Sequence, residues 1–299
     1  LIRSRGLGDV YKRQILGIRS KTIISDKVIK SANKLLAIGA FCIGTNQIKF
    51  ESCNDSGIVV FNAPYSNTRS VVEIVIAQII NLMRKIVIKS NKMHSGVWRK
   101  DSLDSFEIRN KVIGIVGYGN IGSQLSVICE ALGMKVLYYD IVDKLSIGNA
   151  KKCKSLNDLL KNSDIVSLHV DGKKSNTNLI SDKEFSIMKE KSILVNYSRG
   201  NVVDINSLIK NIKSKKIMGA ALDVFPEEPP NNTEKFKSKV KGIEEIILSP
   251  HIGGSTKEAQ KNIGSYVPDK IIDFINSGNT SSSVNFPKLS LPEQSDSHR

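Results

Sequence analysis

A chain of 299 residues, 40% hydrophobic and 24% charged, is long enough for two ordinary domains, and its composition excludes a disordered, collagen-like or disulfide-scaffold polypeptide. Its 44 basic and 29 acidic residues give a net charge of +15, yet the lysines fall in short groups (Lys151, Lys152 and Lys154; Lys173 and Lys174; Lys213, Lys215 and Lys216) without interleaved aromatics. That spread argues against a nucleic-acid surface and suits a small anionic ligand at least as well. In chain order, residues 1–14 are basic and irregular and read as an adaptor or frame artefact outside the fold. A strand follows at 15–18, then a helix at 26–34, a strand at 35–38, a short helix near Ile48 and a strand at 58–61. The apolar run 71–83 is interrupted by Glu73, Gln78 and Asn81, so it predicts a buried or interface helix and no membrane span.

From residue 111 onward, strand and helix alternate. Short apolar runs at 111–116, 135–139, 165–169, 193–196, 217–224 and 245–248 predict strands, with helices at 123–132, 156–161, 184–188 and 205–213. Continuous apolar strands between helices belong to a parallel sheet covered on both faces, a doubly wound α/β arrangement. A helix beginning at Ser255 carries a capping box with Glu258. The Ser-, Asn- and Gly-rich stretch 276–283, followed by 284–287 and a polar tail, reads as a linker. Cys42, Cys53, Cys129 and Cys153 lie far apart, with no Cys-x-x-Cys and no histidine at metal-ligand spacing. Reduced thiols in a cytoplasm and no metal centre are therefore expected.

Gly117-Tyr118-Gly119-Asn120-Ile121-Gly122 is a G-x-G-x-x-G placed between a predicted strand and a predicted helix. Gly117 makes the tight turn, Gly119 lets the backbone approach a pyrophosphate, and Gly122 allows close helix–strand packing. The helix N-terminus, with Asn120 and Ile121, offers amide donors to the anion. Asp140 closes the next strand, eighteen positions after Gly122, where it can accept from an adenosine ribose and repel a 2′-phosphate. A Rossmann-type NAD site is the expectation.

Three polar residues fall just beyond strand ends, where ligands bind in open α/β sheets: Arg199 after 193–196, Glu228 after 220–224, and His251 after 245–248. Together they suit hydride transfer at a carbinol carbon. A histidine takes the hydroxyl proton, a carboxylate raises its pKa and orients it, and an arginine clamps the substrate carboxylate and polarises the carbonyl. Asp223 either caps a loop or makes a polar contact to the nicotinamide half of the cofactor.

These residues, with Ile18-Arg19-Ser20, Ile43-Gly44-Thr45-Asn46-Gln47, Phe61-Asn62-Ala63-Pro64, Ser66-Asn67-Thr68-Arg69-Ser70, Ser198-Arg199-Gly200, Asp223-Val224-Phe225-Pro226 and Pro250-His251-Ile252-Gly253-Gly254-Ser255-Thr256, carry a resemblance over about 15–292. The chain resembles the D-isomer-specific 2-hydroxyacid dehydrogenases. The resemblance implies Arg199, Glu228 and His251 as catalytic residues, and Arg19, Ser20, Asn67 and Lys100 as substrate contacts. It also implies a dimer through the cofactor domain, by a long helix over 69–89, and a tetramer in a longer parent. The activity implied is NAD-dependent oxidation of 3-phospho-D-glycerate to 3-phosphohydroxypyruvate, the first step of phosphorylated serine synthesis. The alternatives are oxidation of 2-hydroxyglutarate, glycerate or lactate, or an NAD-sensing interaction protein on the same scaffold. The sequence departs from the family pattern at Lys49, Asp171 and Tyr197. The last is bulkier than the usual small residue and is expected to reach the cofactor.

The expected organisation is a Rossmann-type NAD-binding domain, 67–253, inserted into a smaller flavodoxin-like α/β substrate domain, 15–66 and 254–294, with a tail at 295–299. By the resemblance, the substrate domain is incomplete, lacking a strand-helix segment before Ile15, and relatives continue after 284–287 into a regulatory domain. Serine feedback is accordingly expected to be lost from this chain, and its activity and stability are expected to be low.

Overall fold

The computed structural model of the chain describes residues 13–290. Residues 1–12 of the expected non-native segment, the end of the expected substrate domain at 291–294 and the tail 295–299 lie outside the described residues. The fold divides into two compact units: the chain up to Asn67 together with that from Thr256, and Thr68–Ser255.

The first unit opens with β1 (Ile15–Ile18), α1 (Asp26–Ser31), β2 (Ala37–Ala40), α2 (Phe50–Asp55) and β3 (Val59–Phe61). The strands form a parallel sheet in the order β1-β2-β3. One face packs on α1 and α2 through Ile29, Ile38, Cys53 and Val60. The strand expected at 35–38 starts at Ala37, because an unbroken apolar run has no period to mark its start. Its pairing begins where the Leu36 and Ala37 amides donate to the Gln14 carbonyl, at 2.7 and 3.2 Å. Gln14, read from sequence as outside the fold, is thus bonded into it. The short helix expected near Ile48 forms later, at α2, because Ile48 is held in a parallel bridge with Ile24.

The second unit begins with α3 (Thr68–Arg84) and α4 (Ile86–His94). The single long helix expected over 69–89 is broken at Lys85, which is left-handed at φ 52°. The chain then runs through β4 (Val112–Val116), α5 (Asn120–Ala131), β5 (Lys135–Tyr139), β6 (Lys151–Lys152), α6 (Leu156–Asn162) and β7 (Ile165–Leu168). It continues through α7 (Asp182–Ile187), β8 (Ser192–Asn196), α8 (Ile205–Lys213), β9 (Ile217–Leu222) and β10 (Ile246–Leu248). A capping box, Ser181 with Glu184, starts α7 earlier than the apolar pattern indicates. All seven strands pair in parallel, in the order β10-β9-β8-β7-β4-β5-β6. One face is covered by α3 and α5, with Val75, Ile79, Leu125, Ile115 and Val195 in its core. The other carries Leu159, Leu160, Phe185 and Leu208 from α6, α7 and α8. The chain goes outward from β4 to β6 and then returns to β7, so the carboxyl ends of β4 and β7 flank the topological switch point.

Back in the first unit, α9 (Lys257–Ser277) lays Ile263, Val267 and Ile271 against Val59 and Phe61 on the sheet face opposite α1 and α2. Its cap is Thr256, whose hydroxyl accepts from the Ala259 amide at 3.1 Å. The Ser255–Glu258 capping box is therefore corrected by one residue. The stretch around 280–287 is also not a free linker: the Val284 amide donates to the Val60 carbonyl at 2.9 Å. The Asn285 side chain accepts from the Val60 amide at 2.8 Å and donates to the Ile58 carbonyl at 2.9 Å. This segment covers the β3 edge, using a side-chain amide where a strand would use its backbone.

Candidate active site

The glycine turn joins β4 to α5 at the switch point. Gly117 is left-handed at φ 92°, and a side chain there would meet the His169 carbonyl at 2.5 Å. At Gly122 a side chain would run into the Gly117 carbonyl. Gly119 differs, because a methyl group there would meet nothing within 4 Å. As the N-cap of α5 it supplies no side-chain acceptor, so the helix's first amides, at Asn120, Ile121 and Gly122, have no cap in competition with an anion. The Asp140 carboxylate accepts from the Tyr118 amide at 2.7 Å and the Val142 amide at 2.9 Å, tying the end of β5 to the turn. Space outside one glycine, an uncapped helix end and a carboxylate at the neighbouring strand end fit a dinucleotide.

Beyond β8 the chain makes Ser198-Arg199. Asn196 organises it, accepting from the Ser198 amide and hydroxyl at 3.1 and 2.8 Å and donating to the Arg199 carbonyl at 3.0 Å. Beyond β9, Glu228 is held by a turn in which its Oε1 accepts from the Phe225 amide at 3.2 Å. Beyond β10, His251 Nδ1 lies 2.7 Å from Glu228 Oε2. A carboxylate only accepts, so Nδ1 carries the proton and Nε2 is the free base. The hydrogen bond to Glu228 is the largest influence on His251 and raises its pKa above the ordinary histidine value, against burial and the opposing charge of Arg199. The structure thus brings Arg199, Glu228 and His251 together at three adjacent strand ends of one unit.

His251 is held left-handed at φ 53°, a conformation that costs a non-glycine residue about 1–2 kcal/mol. Its loop is anchored by Asp223, which is buried and accepts from the Ser249 hydroxyl at 2.5 Å and from the Ile252 and Gly253 amides at 2.9 and 2.7 Å. Asp223 therefore takes the loop-capping reading at its oxygens. The Tyr197 ring is buried with Val71, Val75 and Ile79 of α3 in the core cluster, and its hydroxyl lies 3.0 Å from Ser249 Oγ.

Of the other expected contacts, Arg19, Ser20 and Asn67 belong to the first unit and Lys100 to the second. Arg19 and Ser20 are exposed in the first unit; Arg19 donates to Gln260 at 3.4 Å, and Ser20 borders a cavity of about 400 Å³ with Ile24, Asn46, Gln47 and Lys49. Asn67 is half-buried at the end of that unit's first segment, while Lys100 is exposed after α4 in the second. Three contributors were missed from sequence: Asn196, Ser249 and His169. His169 follows β7 at the switch point; burial pushes its pKa down to about 4, and its Nδ1 is buried with no partner among the described residues. Its position directly after an apolar strand was the available signal. Among the described residues no helix is long and apolar enough to cross a membrane.

The profile of the D-isomer specific 2-hydroxyacid dehydrogenase NAD binding domain matches residues 76–253. The chain is 50% identical over 277 residues to D-3-phosphoglycerate dehydrogenase of Escherichia coli (strain K12), covering 93% of this chain and 68% of that protein. It is 49% identical over 285 residues to D-3-phosphoglycerate dehydrogenase of Dictyostelium discoideum, covering 95% and 70%. Among solved structures, D-lactate dehydrogenase from Aquifex aeolicus complexed with NAD and lactic acid superposes with a TM-score of 0.84 at 25% identity, covering 96% of this chain and 91% of that one.

Proposed function

Because the chain belongs to the D-isomer-specific 2-hydroxyacid dehydrogenases, we propose that it oxidises 3-phospho-D-glycerate to 3-phosphohydroxypyruvate with NAD, the entry to phosphorylated serine synthesis. The observation that carries the chemistry is the 2.7 Å pair of His251 Nδ1 and Glu228, which leaves Nε2 free as a base. The choice of substrate rests on the names of relatives at 49% and 50% identity.

A bound NAD would supply the hydride acceptor for oxidation at C2 of the hydroxy acid. The chain's own residues do the rest. His251 Nε2 takes the hydroxyl proton, and Glu228 stabilises the imidazolium that forms. Arg199 binds the substrate carboxylate and polarises the incipient carbonyl. The amides at Asn120, Ile121 and Gly122 would hold the pyrophosphate and Asp140 the adenosine ribose, while Asp223 fixes the His251 loop that would border the nicotinamide. The first unit acts as the substrate domain, with Arg19, Ser20 and Asn67 as contacts to the anionic substrate and Lys100 as a further cation. A cytoplasmic setting suits the four buried cysteines, which lie far apart in the chain. A homodimer through the second unit suits the apolar side chains exposed after α4.

The test is NADH formation by the purified protein with 3-phosphoglycerate, glycerate, lactate and 2-hydroxyglutarate side by side. Turnover should prefer 3-phosphoglycerate and fall about 10³-fold or more in His251→Ala. Preference for another acid would overturn the substrate. A folded, NAD-binding protein that turns over none of the four would overturn the enzymatic reading in favour of a sensing scaffold.

A further inference from the structure

The His251 loop is held by more than its own neighbours. Ser249 has a single hydroxyl proton, and at 2.5 Å it is given to Asp223 Oδ1, since a carboxylate cannot donate. Tyr197, 3.0 Å away on the other side of Ser249 Oγ, must therefore be the donor in that contact. Burial raises the Tyr197 pKa, which keeps its proton in place, and Gln78 of α3 is a second polar neighbour. A directed chain follows, from Tyr197 O–H to Ser249 Oγ and from Ser249 O–H to Asp223. The same carboxylate holds the Ile252 and Gly253 amides. It thus grips the loop on both sides of His251: at Ser249, two residues before it, and at the two residues after it. Gly253 is the point of closest approach, where a side chain would meet Asp223 Oδ2 at 3.0 Å and the Tyr197 ring at 3.1 Å.

We propose that Tyr197 is a positioning residue for proton transfer, acting through Ser249 and Asp223 to hold the left-handed turn that keeps His251 against Glu228. Hydrogen bonds in a chain polarise one another, so removing the first donor loosens the last acceptor's grip. This inference rests on the reading of His251 as the acid–base group. The charged groups acting on that imidazole are Glu228 and Asp223, both beyond β9, and Arg199, beyond β8.

The experiment compares Tyr197→Phe, Ser249→Ala and the double variant in the full chain. Steady-state rates across pH are measured alongside NMR titration of His251 in the protein without cofactor. Tyr197→Phe keeps the ring in the core and removes only the hydroxyl. It should lower kcat about three- to tenfold with KM for NAD within about twofold, and move the His251 pKa down by about half a pH unit. Ser249→Ala should move both readouts the same way, and the double variant should add little to the larger single effect. Independent, additive effects would overturn the relay. So would an unchanged His251 titration in both single variants, even with a lowered Tm. If Tyr197→Phe does not fold, the His251 titration in Ser249→Ala decides alone: a downward move supports the relay and none overturns it. His251→Asn separates the two failures, since turnover surviving in it would sink the acid–base reading itself.

Discussion

Glu228 acts on one atom of one residue, and the consequence can be worked out with its sign. Its hydrogen bond is the main reason that His251 titrates above the ordinary histidine value. Oxidation needs Nε2 unprotonated, so kcat/KM for oxidation should rise as pH climbs through the raised pKa, while reduction should fall over the same range. In Glu228→Gln the oxidation limb should move to lower pH, toward the unperturbed histidine value. The plateau should still drop about 10- to 100-fold, because the imidazolium loses its counter-charge. A pH profile of the variant checks both effects; a limb that stays in place would mean Glu228 does not set the His251 pKa. The same shift favours the folded state below the unfolded histidine pKa and is lost as pH rises through the folded one. The convergence of Arg199, Glu228 and His251 was legible in the sequence because each is a polar residue in the loop that follows an apolar strand. Tyr197 and Ser249 flank two of them, but strand ends give no sign of which side chains turn inward. Tyr197 is one such residue, its ring lying in the core cluster with α3.

At the scale of elements, the turn between β4 and α5 separates structural glycines from a ligand-facing one. A side chain at Gly122 would run into the Gly117 carbonyl, whereas one at Gly119 meets open space. Gly119→Ala should therefore fold with a Tm within a few degrees of the parent chain, yet lose about tenfold or more in NAD affinity, because its methyl group occupies the cofactor's approach. Gly122→Ala should lower Tm before it affects binding. Calorimetric titration with NAD, set beside thermal unfolding, distinguishes the two, and equal loss of Tm in both variants would contradict the assignment. The central strands β4, β7, β8 and β9 were legible because burial on both faces demands continuous apolar runs. Two features without that demand were not. β6 is a pair of lysines paired to β5 only at the sheet edge, and the break between α3 and α4 rests on one left-handed lysine in an otherwise helical pattern. The capping boxes cut both ways: Ser181–Glu184 is formed and was overlooked, while Ser255–Glu258 was expected and gives way to Thr256.

At the scale of the whole molecule, the two units were legible from the glycine turn and the motif order, but the docking of 280–287 on β3 was not. A Ser- and Asn-rich composition describes a linker and an edge cover equally well, and only the register of Asn285 on Val60 distinguishes them. The segment after α4 poses the complementary question. Its far end is pinned, with Asp104 paired to Lys85 and Lys191 at 3.1 Å each and the Phe106 amide bonded to the Met83 carbonyl at 2.8 Å. Yet Val97, Trp98 and Leu103 are 49%, 78% and 64% exposed. A pinned segment presenting apolar side chains to water has already met part of the ordering cost of association, which suits a second copy of the chain. The chain's net charge of +15 opposes self-association, so dimerisation should tighten as salt screens that repulsion. Sedimentation at two salt concentrations should show a dimer that dissociates less at the higher one. Trp98→Ala should weaken it about 30-fold, the scale of a buried aromatic anchor. A monomer at both salt concentrations, or a dimer indifferent to Trp98, would place the interface elsewhere.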